Sequence, residues 1–281
     1  LGSSSGAPSG RKYLSFDRAS LSAVLDPSGL LKVSAFEATS RGSSATGTGT
    51  VKLFHKGYTL DKELPADLVI GLRSDDIRAF SGDEDIHGRS EADIHISGSL
   101  SNPAAMFNAT LSGLKLRDMT IGEVFLNGDM ADGVARVNRL DIVNKESVVH
   151  ASGRAKFFDV KTRRFIDNPE IELRASSDSL RLEDFTGMLQ ALVSLEAHIT
   201  GTLHDPAGNI SVHARKIDFG GQEIDSVSLS SVLRDRKVFI EPLALAVKPG
   251  QIVNGSGWVS LSESREYALD LKSEGIRLNE I

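Results

Sequence analysis

The sequence predicts a mainly β protein, in which an elongated antiparallel sheet is built from repeats of about 103 residues and carries one short amphipathic helix. Three observations support this prediction. Apolar and polar residues alternate through most of the chain, which is typical of half-buried strands. Turn residues such as Asp-Pro, Asn-Pro and Gly separate the alternating runs. The same strand-turn-strand pattern also returns at a fixed distance along the chain.

The recurring pattern is IHISGSLSNP at residues 94–103, which returns as AHITGTLHDP at residues 197–206. Gly201 follows Gly98 by 103 residues, and Pro206 follows Pro103 by the same distance. Apolar positions downstream match at this offset, while the polar positions between them vary freely. After a slip of one residue the match continues, from Gly153 to Gly257. We therefore predict repeat units at about 13–115 and 116–218, with a partial third unit at 219–281.

Residues 1–12 are interpreted as a flexible linker or a vector-derived remnant, because they are rich in Gly and Ser. The first residue is not Met, from which we infer a segment of a longer protein. Next, Asp26-Pro27-Ser28-Gly29 predicts the turn of a hairpin. Gly47 and Gly49 interrupt a strand-like run, which indicates a bulge or a close backbone approach.

A third recurring element occurs at residues 68–80, 171–185 and 267–281, where an apolar residue precedes Arg in each copy. The predicted helix overlaps the end of the second copy and covers residues 182–193, LEDFTGMLQALV. Its apolar residues recur at spacings of three, four and seven, and two acidic residues lie near its start. We expect this helix to pack on the sheet or to close one of its openings.

Composition excludes several classes of function. The net charge is −6 and Lys and Arg are scattered, so neither nucleic-acid binding nor a basic membrane patch is supported. There is no cysteine, hence no disulfide framework and no thiolate metal site. No apolar run is long enough for a transmembrane helix. Aromatic residues make up 6% of the chain, which disfavours an aromatic ligand cage or a polysaccharide-active surface.

The sequence contains no recognisable catalytic motif, and we expect neither an enzyme nor a cofactor. Asp83, Glu84, Asp85 and His87 offer oxygen and imidazole ligands, but they lack the spacing of a calcium loop and are interpreted as a solvated loop. His95 and His198 occupy equivalent positions, between or beside isoleucines. Because side chains alternate along a strand, we expect both histidines on the face opposite those isoleucines, without metal-binding partners.

The recurring pattern resembles the TamB and AsmA-like family of envelope proteins. The residues that carry the resemblance are the apolar-x-Gly-[Ser/Thr]-Leu-x-[Asn/Asp]-Pro sets: Ile96, Gly98, Ser99, Leu100, Asn102 and Pro103, and Ile199, Gly201, Thr202, Leu203, Asp205 and Pro206. The resemblance covers most of the chain from about residue 13.

This resemblance implies a U-shaped, taco-like curled sheet with an apolar groove, in a bridge-like lipid transfer protein. It implies a periplasmic location, tethering to the inner membrane by a segment outside these residues, and phospholipid transport toward the outer membrane. For TamB it also implies partnership with an outer-membrane barrel protein. No anchor or partner-binding segment is recognisable in the sequence, so neither property is supported by the residues themselves.

The physical reasoning agrees with this expectation, because a sheet with one apolar face must either be covered by a second layer or curl over that face. A curled sheet would leave a groove for acyl chains. The alternative is a structural or adhesive β-solenoid in which the same residues form a dry core. The candidate groove-lining residues are the in-phase apolar positions Val124, Leu126, Val137, Leu140, Ile142, Phe157, Ile171, Leu173, Ile199, Val227, Leu229, Ile240, Leu243 and Leu245.

Overall fold

The computed structural model describes residues 17–40, 42–55, 59–78, 85–99, 101–162, 164–187, 189–262 and 266–275. The predicted linker at residues 1–12 lies outside this part of the chain, as do Asp83, Glu84 and the end of the third recurring element. The described residues form a single sheet of 16 strands, curled and not closed, which confirms the predicted fold class.

The strands follow one another in sequence order. They are β1 (Arg18–Leu25), β2 (Leu30–Ser40), β3 (Ser43–Lys52), β4 (Pro65–Ser74), β5 (Ile86–Ser99), β6 (Pro103–Leu116), β7 (Met119–Ala131), β8 (Val134–Asn144), β9 (Ser147–Asp159), β10 (Arg164–Arg181), β11 (Leu189–Thr202), β12 (Pro206–Phe219), β13 (Gln222–Arg234), β14 (Lys237–Lys248), β15 (Gln251–Ser260) and β16 (Tyr267–Glu274).

Every strand pairs in antiparallel fashion with its neighbours in sequence, from β1 to β16. The extensive contacts between elements are those between consecutive strands, together with one between a short helical turn and β11. This up-and-down meander differs from a β-solenoid, whose coils stack in parallel. The architecture of the alternative interpretation is therefore not the one that the described residues adopt.

The predicted helix over residues 182–193 is wrong. Between residues 182 and 193, the described helical structure is one 3-10 turn at Leu182–Asp184, and Leu189 already begins β11. Pairing with β10 on one side and β12 on the other places Val193 in the sheet, where it is buried. A short apolar run satisfies both helical and strand patterns, and tertiary pairing decides between them. Gly187 further weakens a helix at this point.

The predicted hairpin at Asp26-Pro27-Ser28-Gly29 is confirmed: it joins β1 to β2, and the Gly29 amide donates to the Asp26 carbonyl at 2.9 Å. The irregularity expected at Gly47 and Gly49 is also present. The register of β2 against β3 shifts between Val33 and Phe36, opposite these glycines.

Both copies of the recurring pattern form the same turn. Gly98 and Gly201 have φ angles of +90° and +106°, a region that favours glycine. In the first copy the Asn102 amide donates to the Ser99 hydroxyl at 3.2 Å, and in the second the Asp205 amide donates to the Thr202 hydroxyl at 3.2 Å. Moreover, β11, β12 and β13 begin 103 residues after β5, β6 and β7. The division of the whole chain into repeat units stays a prediction.

Candidate functional site: the apolar face of the sheet

One face of the sheet is apolar across its whole width, and we call it the apolar face. Residues paired across neighbouring strands lie on the same face, so the register of the strands defines its rows. Val124 pairs with Ile142, and Leu126 with Leu140. The same face continues through Leu173 and Ile199, which pair between β10 and β11. It therefore runs unbroken over the central strands.

With the exception of Phe157, the strand registers place every predicted groove-lining residue on the apolar face. Val227, Leu229 and their partners Leu245 and Leu243 form its rows in β13 and β14, where Ile240 pairs with Ser231. Val137 and Ile171 are joined to these rows through β9. No register pair assigns Phe157 to either face, because its amide and the amide of Phe158 both donate to the Gly133 carbonyl, at 3.1 and 3.2 Å. The alternation in the sequence thus predicts which side chains share a face.

The apolar face extends further than the sequence analysis proposed. Additional members come from strands on both sides of the predicted set: Leu21, Phe36, Leu68, Ile70, Leu72, Ile94, Ile96, Phe107, Leu111, Val193, Leu195, Val212, Val253, Leu269 and Leu271. Their alternation is visible in the sequence, but assigning them to the same face requires the register of each strand pair.

Burial alternates along the strands in step with the two faces. In β12, Gly208, Ile210, Val212 and Ala214 are half-buried, whereas the intervening polar residues are exposed. Among the described residues, no second sheet or long helix packs on the apolar face, because consecutive strands make the extensive contacts. The half-burial therefore comes from packing within the face and from the curl of the sheet.

Exposure on the apolar face is greatest on the two outermost strands, where every residue is exposed. Val124, Val193 and Leu233 are at most 7% exposed, whereas Leu21 on β1 is 67% exposed and Leu271 on β16 is 53% exposed. Even in the middle of the sheet, Leu173 is 42% exposed. Solvent thus reaches a large apolar surface that a closed core would have removed from water.

Close packing on this face depends on a small residue at Gly128. A Cβ added there would lie 2.4 Å from Cζ of Phe107 and 2.3 Å from the Arg136 carbonyl oxygen. Gly128 pairs with Phe107 on one side and Val137 on the other. The aromatic ring therefore occupies the space that a side chain at position 128 would need.

The 3-10 turn at Leu182–Asp184 is hydrogen-bonded to one rim of the apolar face, at the turn between β8 and β9. The side chains of Asn144 and Ser147 lie on that face at the β8–β9 turn, where they pair across it. Nδ2 of Asn144 donates to the Asp184 carbonyl at 2.6 Å, and the Ser147 hydroxyl donates to Oδ2 of Asp184 at 2.7 Å. Nζ of Lys145 lies 3.2 Å from Oδ1 of the same carboxylate. The turn is thus fixed to the rim.

Burial of Asp184 favours its neutral form, but the bonds from Ser147 and Lys145 outweigh this effect and leave the pKa below the ordinary value. The carboxylate therefore stays charged while it anchors the turn. Sequence analysis missed this group, since its partners lie in a different hairpin.

The opposite face, here called the polar face, carries charged and hydroxyl side chains in cross-strand pairs. Nη2 of Arg73 lies 2.7 Å from Glu91, Nη1 of Arg136 lies 2.8 Å from Asp129, and Nε of Arg154 lies 2.9 Å from Glu172. The arginine side chains are exposed, Asp129 and Glu172 are half-buried, and positive and negative groups are interspersed. The face is therefore a solvated surface without a field of one sign.

His95 and His198 lie on the polar face, opposite Ile96 and Ile199, as predicted. Nε2 of His95 is 3.0 Å from Asp67, and Nε2 of His198 is 3.7 Å from Glu172. Within the described ranges there is no group of three or more His, Asp or Glu side chains that could hold a metal ion. Asp85 and His87 of the acidic run are described, and Asp85 accepts a bond from Nε of Arg117 at 2.9 Å.

The carboxylate of Asp141 is a buried charged group on this face. The Asp141 side chain is 4% exposed and is bonded by Arg139 and by Nδ1 of His150, the latter at 2.7 Å. The bond from Arg139, followed by that from His150, holds the pKa of Asp141 below its ordinary value despite the opposing effect of burial. These side chains line a shallow depression of about 740 Å³ together with Arg174, Glu196 and His198.

Comparison of the chain with protein-family models, with curated proteins and with solved structures gives no match. Over the part of the chain that the structure describes, none of the helical structure could cross a membrane. The functional argument therefore depends on the geometry of the two faces.

Proposed function

We propose that the chain is a segment of a TamB- or AsmA-like lipid transfer protein, in which the apolar face shields phospholipid acyl chains. The observation that carries this proposal is the continuous apolar face, which no second layer covers among the described residues. Monomeric soluble proteins rarely expose such a wide apolar surface unless it binds something.

Acyl chains suit this surface because it is wide and mainly apolar, and its polar side chains Asn144, Ser147 and Ser231 are bonded within the protein. Each methylene that moves from water onto it contributes about 0.8 kcal/mol. Headgroups would remain in water beside the rims, where they need no dedicated pocket. Along such a face a lipid could move from row to row without losing its apolar contacts.

The proposal includes a periplasmic location, with transport between the inner and outer membranes. An outer-membrane barrel protein is proposed as a partner only through regions other than the described strands. These properties come from the family resemblance, and the geometry of the face is compatible with them.

The direct test is lipid binding and transfer. We expect mass spectrometry of organic extracts of the purified chain to detect co-purified phospholipid. We also expect the chain to accelerate transfer of a fluorescent phospholipid between donor and acceptor vesicles. Absence of both would contradict the proposal and support an interaction module with a dry core.

A charged side chain on the apolar face should block transfer. Leu126→Asp places a carboxylate among the acyl chains, and burying such a group without a partner is costly. Phe125→Asp is the matched control, because Phe125 is the preceding residue, lies on the polar face and is 43% exposed. We expect transfer to fall at least about tenfold in the first variant and to change less than about twofold in the second.

Circular dichroism separates loss of transfer from loss of fold. Both variants should keep the β spectrum of the parent chain. Unfolding of Leu126→Asp would indicate that Leu126 lies in a dry core, which contradicts an open groove.

A further inference from the structure

The hairpin formed by β9 and β10 lies in the middle of the sheet and projects beyond the strands on both sides of it. The register of β9 with β8 ends at Lys156, but β9 continues to Asp159. The register of β10 with β11 ends at Glu170, so the preceding part of β10 also lies beyond its neighbour. Three strand residues span about 10 Å. We call residues 157–162 and 164–169 the projecting tip.

Two phenylalanine rings pack against the ring of Phe165 at the projecting tip. The centroid of the Phe165 ring lies 5.4 Å from that of Phe158, edge to face, and 6.5 Å from that of Phe157. Phe165 is nevertheless 76% exposed, the largest fraction for a large apolar side chain in the described ranges. Single exposed apolar residues are ordinary, whereas an exposed apolar cluster marks a contact surface. The projecting tip therefore offers an aromatic contact to a partner.

The projecting tip and its base are also basic. Lys156, Lys161 and Arg164 are exposed, and no salt bridge between described residues involves them. Asp159 is the single acidic residue in the sequence of residues 156–165, and its Oδ1 accepts a hydrogen bond from the Lys161 amide at 2.9 Å, which closes the turn. Positive charge is thus concentrated here, although Lys and Arg are scattered over the chain as a whole.

The neighbouring turns of the same rim differ from the projecting tip in length and charge. The β7–β8 turn has two residues and the β11–β12 turn has three, and these turns carry Asp132 and Asp205. The projecting tip extends about 10 Å past the strands that these turns join. A flat surface therefore meets the basic and aromatic side chains of the tip before it meets the carboxylates beside them.

We propose that the projecting tip binds the surface of a bilayer that contains anionic lipids. The ring of Phe165 enters the interface between headgroups and acyl chains, and Lys156, Lys161 and Arg164 contact lipid phosphate groups. The two kinds of contact reinforce each other, because the cations hold the tip at the surface while the ring leaves water. This inference concerns where the chain meets a membrane and does not depend on acyl chains entering the apolar face.

A nucleic acid suits the projecting tip less well than a bilayer does. Proteins that bind single strands combine aromatic rings with a positively charged groove that follows the backbone over several nucleotides. Here the cations lie at the end of one hairpin, and Asp132 and Asp205 flank it on the two adjacent turns. Phosphates that continued along the rim would meet these carboxylates.

Vesicle flotation tests the proposal directly. We expect the chain to float with vesicles that contain about 30% phosphatidylglycerol in phosphatidylcholine, and at least about fivefold less of it to float with pure phosphatidylcholine. Raising the salt from about 0.05 M to about 0.5 M should release most of the bound chain, because salt screens the attraction between the cations and the lipid phosphates. A chain that stays in the soluble fraction at both compositions would overturn the proposal.

The variant Phe165→Ser removes the exposed ring, and Phe219→Ser is its matched control. Phe219 is 65% exposed and ends β12 at the opposite rim, where Asp218 and Glu223 are close to it in sequence. We expect Phe165→Ser to lower the vesicle-bound fraction at least about fivefold, and the control to change it less than about twofold. An equal loss in both variants would contradict a specific role of the tip.

The charges are tested by the double variant Lys161→Gln with Arg164→Gln. Its control is Lys115→Gln with Lys248→Gln, which removes the same charge from exposed lysines at the opposite rim. We expect binding to anionic vesicles to fall at least about fivefold in the first double variant and less than about twofold in the second. The same loss in both would mean that only the net charge matters, which would overturn the assignment to the tip.

A fluorophore at the tip reports the contact itself. The chain has no cysteine, so an exposed Thr162→Cys can be labelled at one position with a polarity-sensitive dye. Gln222→Cys carries the same dye at the opposite rim, where it is also exposed. We expect anionic vesicles to shift the emission of the first label to shorter wavelength and to leave the second unchanged. Equal shifts would overturn the proposal.

Leu126→Asp separates the projecting tip from the apolar face. We expect this variant to float as the parent chain does, since Leu126 lies on the apolar face of β7. Loss of flotation in Leu126→Asp, with flotation retained in Phe165→Ser, would assign the contact to the apolar face and overturn the proposal. Binding of single-stranded DNA without flotation would overturn it as well. If Phe165→Ser loses its β spectrum in circular dichroism, the charge variants and the fluorophore still decide between these outcomes.

Discussion

The two faces of this sheet are held together by different interactions. On the apolar face, neighbouring strands contact each other through aliphatic rows such as Leu126 with Leu140. On the polar face of the same strands, Asp129 pairs with Arg136, and Asp141 with His150. The apolar rows leave a surface that can still gain apolar contacts, whereas the polar rows are satisfied among themselves and by water. The difference is the basis for proposing that acyl chains bind to the apolar face.

The difference between the two faces predicts that a larger side chain is tolerated on the polar face and not on the apolar face. Gly128→Val should destabilise the fold by about 3 kcal/mol, because the new side chain collides with the Phe107 ring and the Arg136 carbonyl. Asn127→Val, one residue earlier on the polar face, loses only an exposed bond to Asn108. Urea unfolding followed by circular dichroism measures both. Equal stability of the two variants would show that Phe107 can move aside.

The buried carboxylate of Asp141 predicts an intermediate effect. Asp141→Asn removes the charge to which Arg139 and His150 are bonded, and we expect a loss of about 2 kcal/mol in the free energy of unfolding. The matched control is Asp178→Asn, an exposed carboxylate on the polar face of β10. A smaller loss than in the control would mean that the pairing around Asp141 contributes nothing to stability.

The lowered pKa of Asp141 also predicts the direction in which the stability of the fold changes with pH. The folded pKa of Asp141 lies below its ordinary value of 3.8, so the unfolded chain binds more protons as the solution becomes acidic. The stabilisation is fully present above that ordinary value and is lost as pH falls through the folded pKa. Asp129 and Asp184 shift in the same direction. Thermal unfolding should therefore show a decline in stability below about pH 4, and the decline should be shallower in Asp141→Asn.

The contrast between the faces was largely predictable from the sequence, because alternation decides which side chains share a face. The placement of Leu126 and Leu140 on one face and the turn after Gly201 follow from local patterns, whereas their pairing as neighbours required the register of β7 and β8. The network around Asp141 was not predictable, since Arg139, Asp141 and His150 meet only once the register of β8 and β9 is set. The anchoring of Asp184 at the β8–β9 turn was missed for the same reason. Alternation also cannot reveal whether a second layer covers an apolar face.

The smallest effect is expected for an exposed pair on the polar face. Arg73 and Glu91 lie 2.7 Å apart, but their side chains are 68% and 62% exposed. Water solvates both groups well when they separate, and ordering two long side chains costs entropy, so the net gain of such pairs is small. We expect Arg73→Gln, Glu91→Gln and the double variant to unfold at nearly the same urea concentration as the parent.

A double-mutant cycle on this pair also tests whether the polar face acts as a connected network. If the coupling between Arg73 and Glu91 is negligible at about 0.15 M salt and grows when salt is lowered, the pair behaves as an isolated surface contact. Strong coupling that salt does not change would mean that the polar rows reinforce one another. In that case the polar face would contribute to holding the curl of the sheet, and the division of roles between the two faces would be less sharp than their composition indicates.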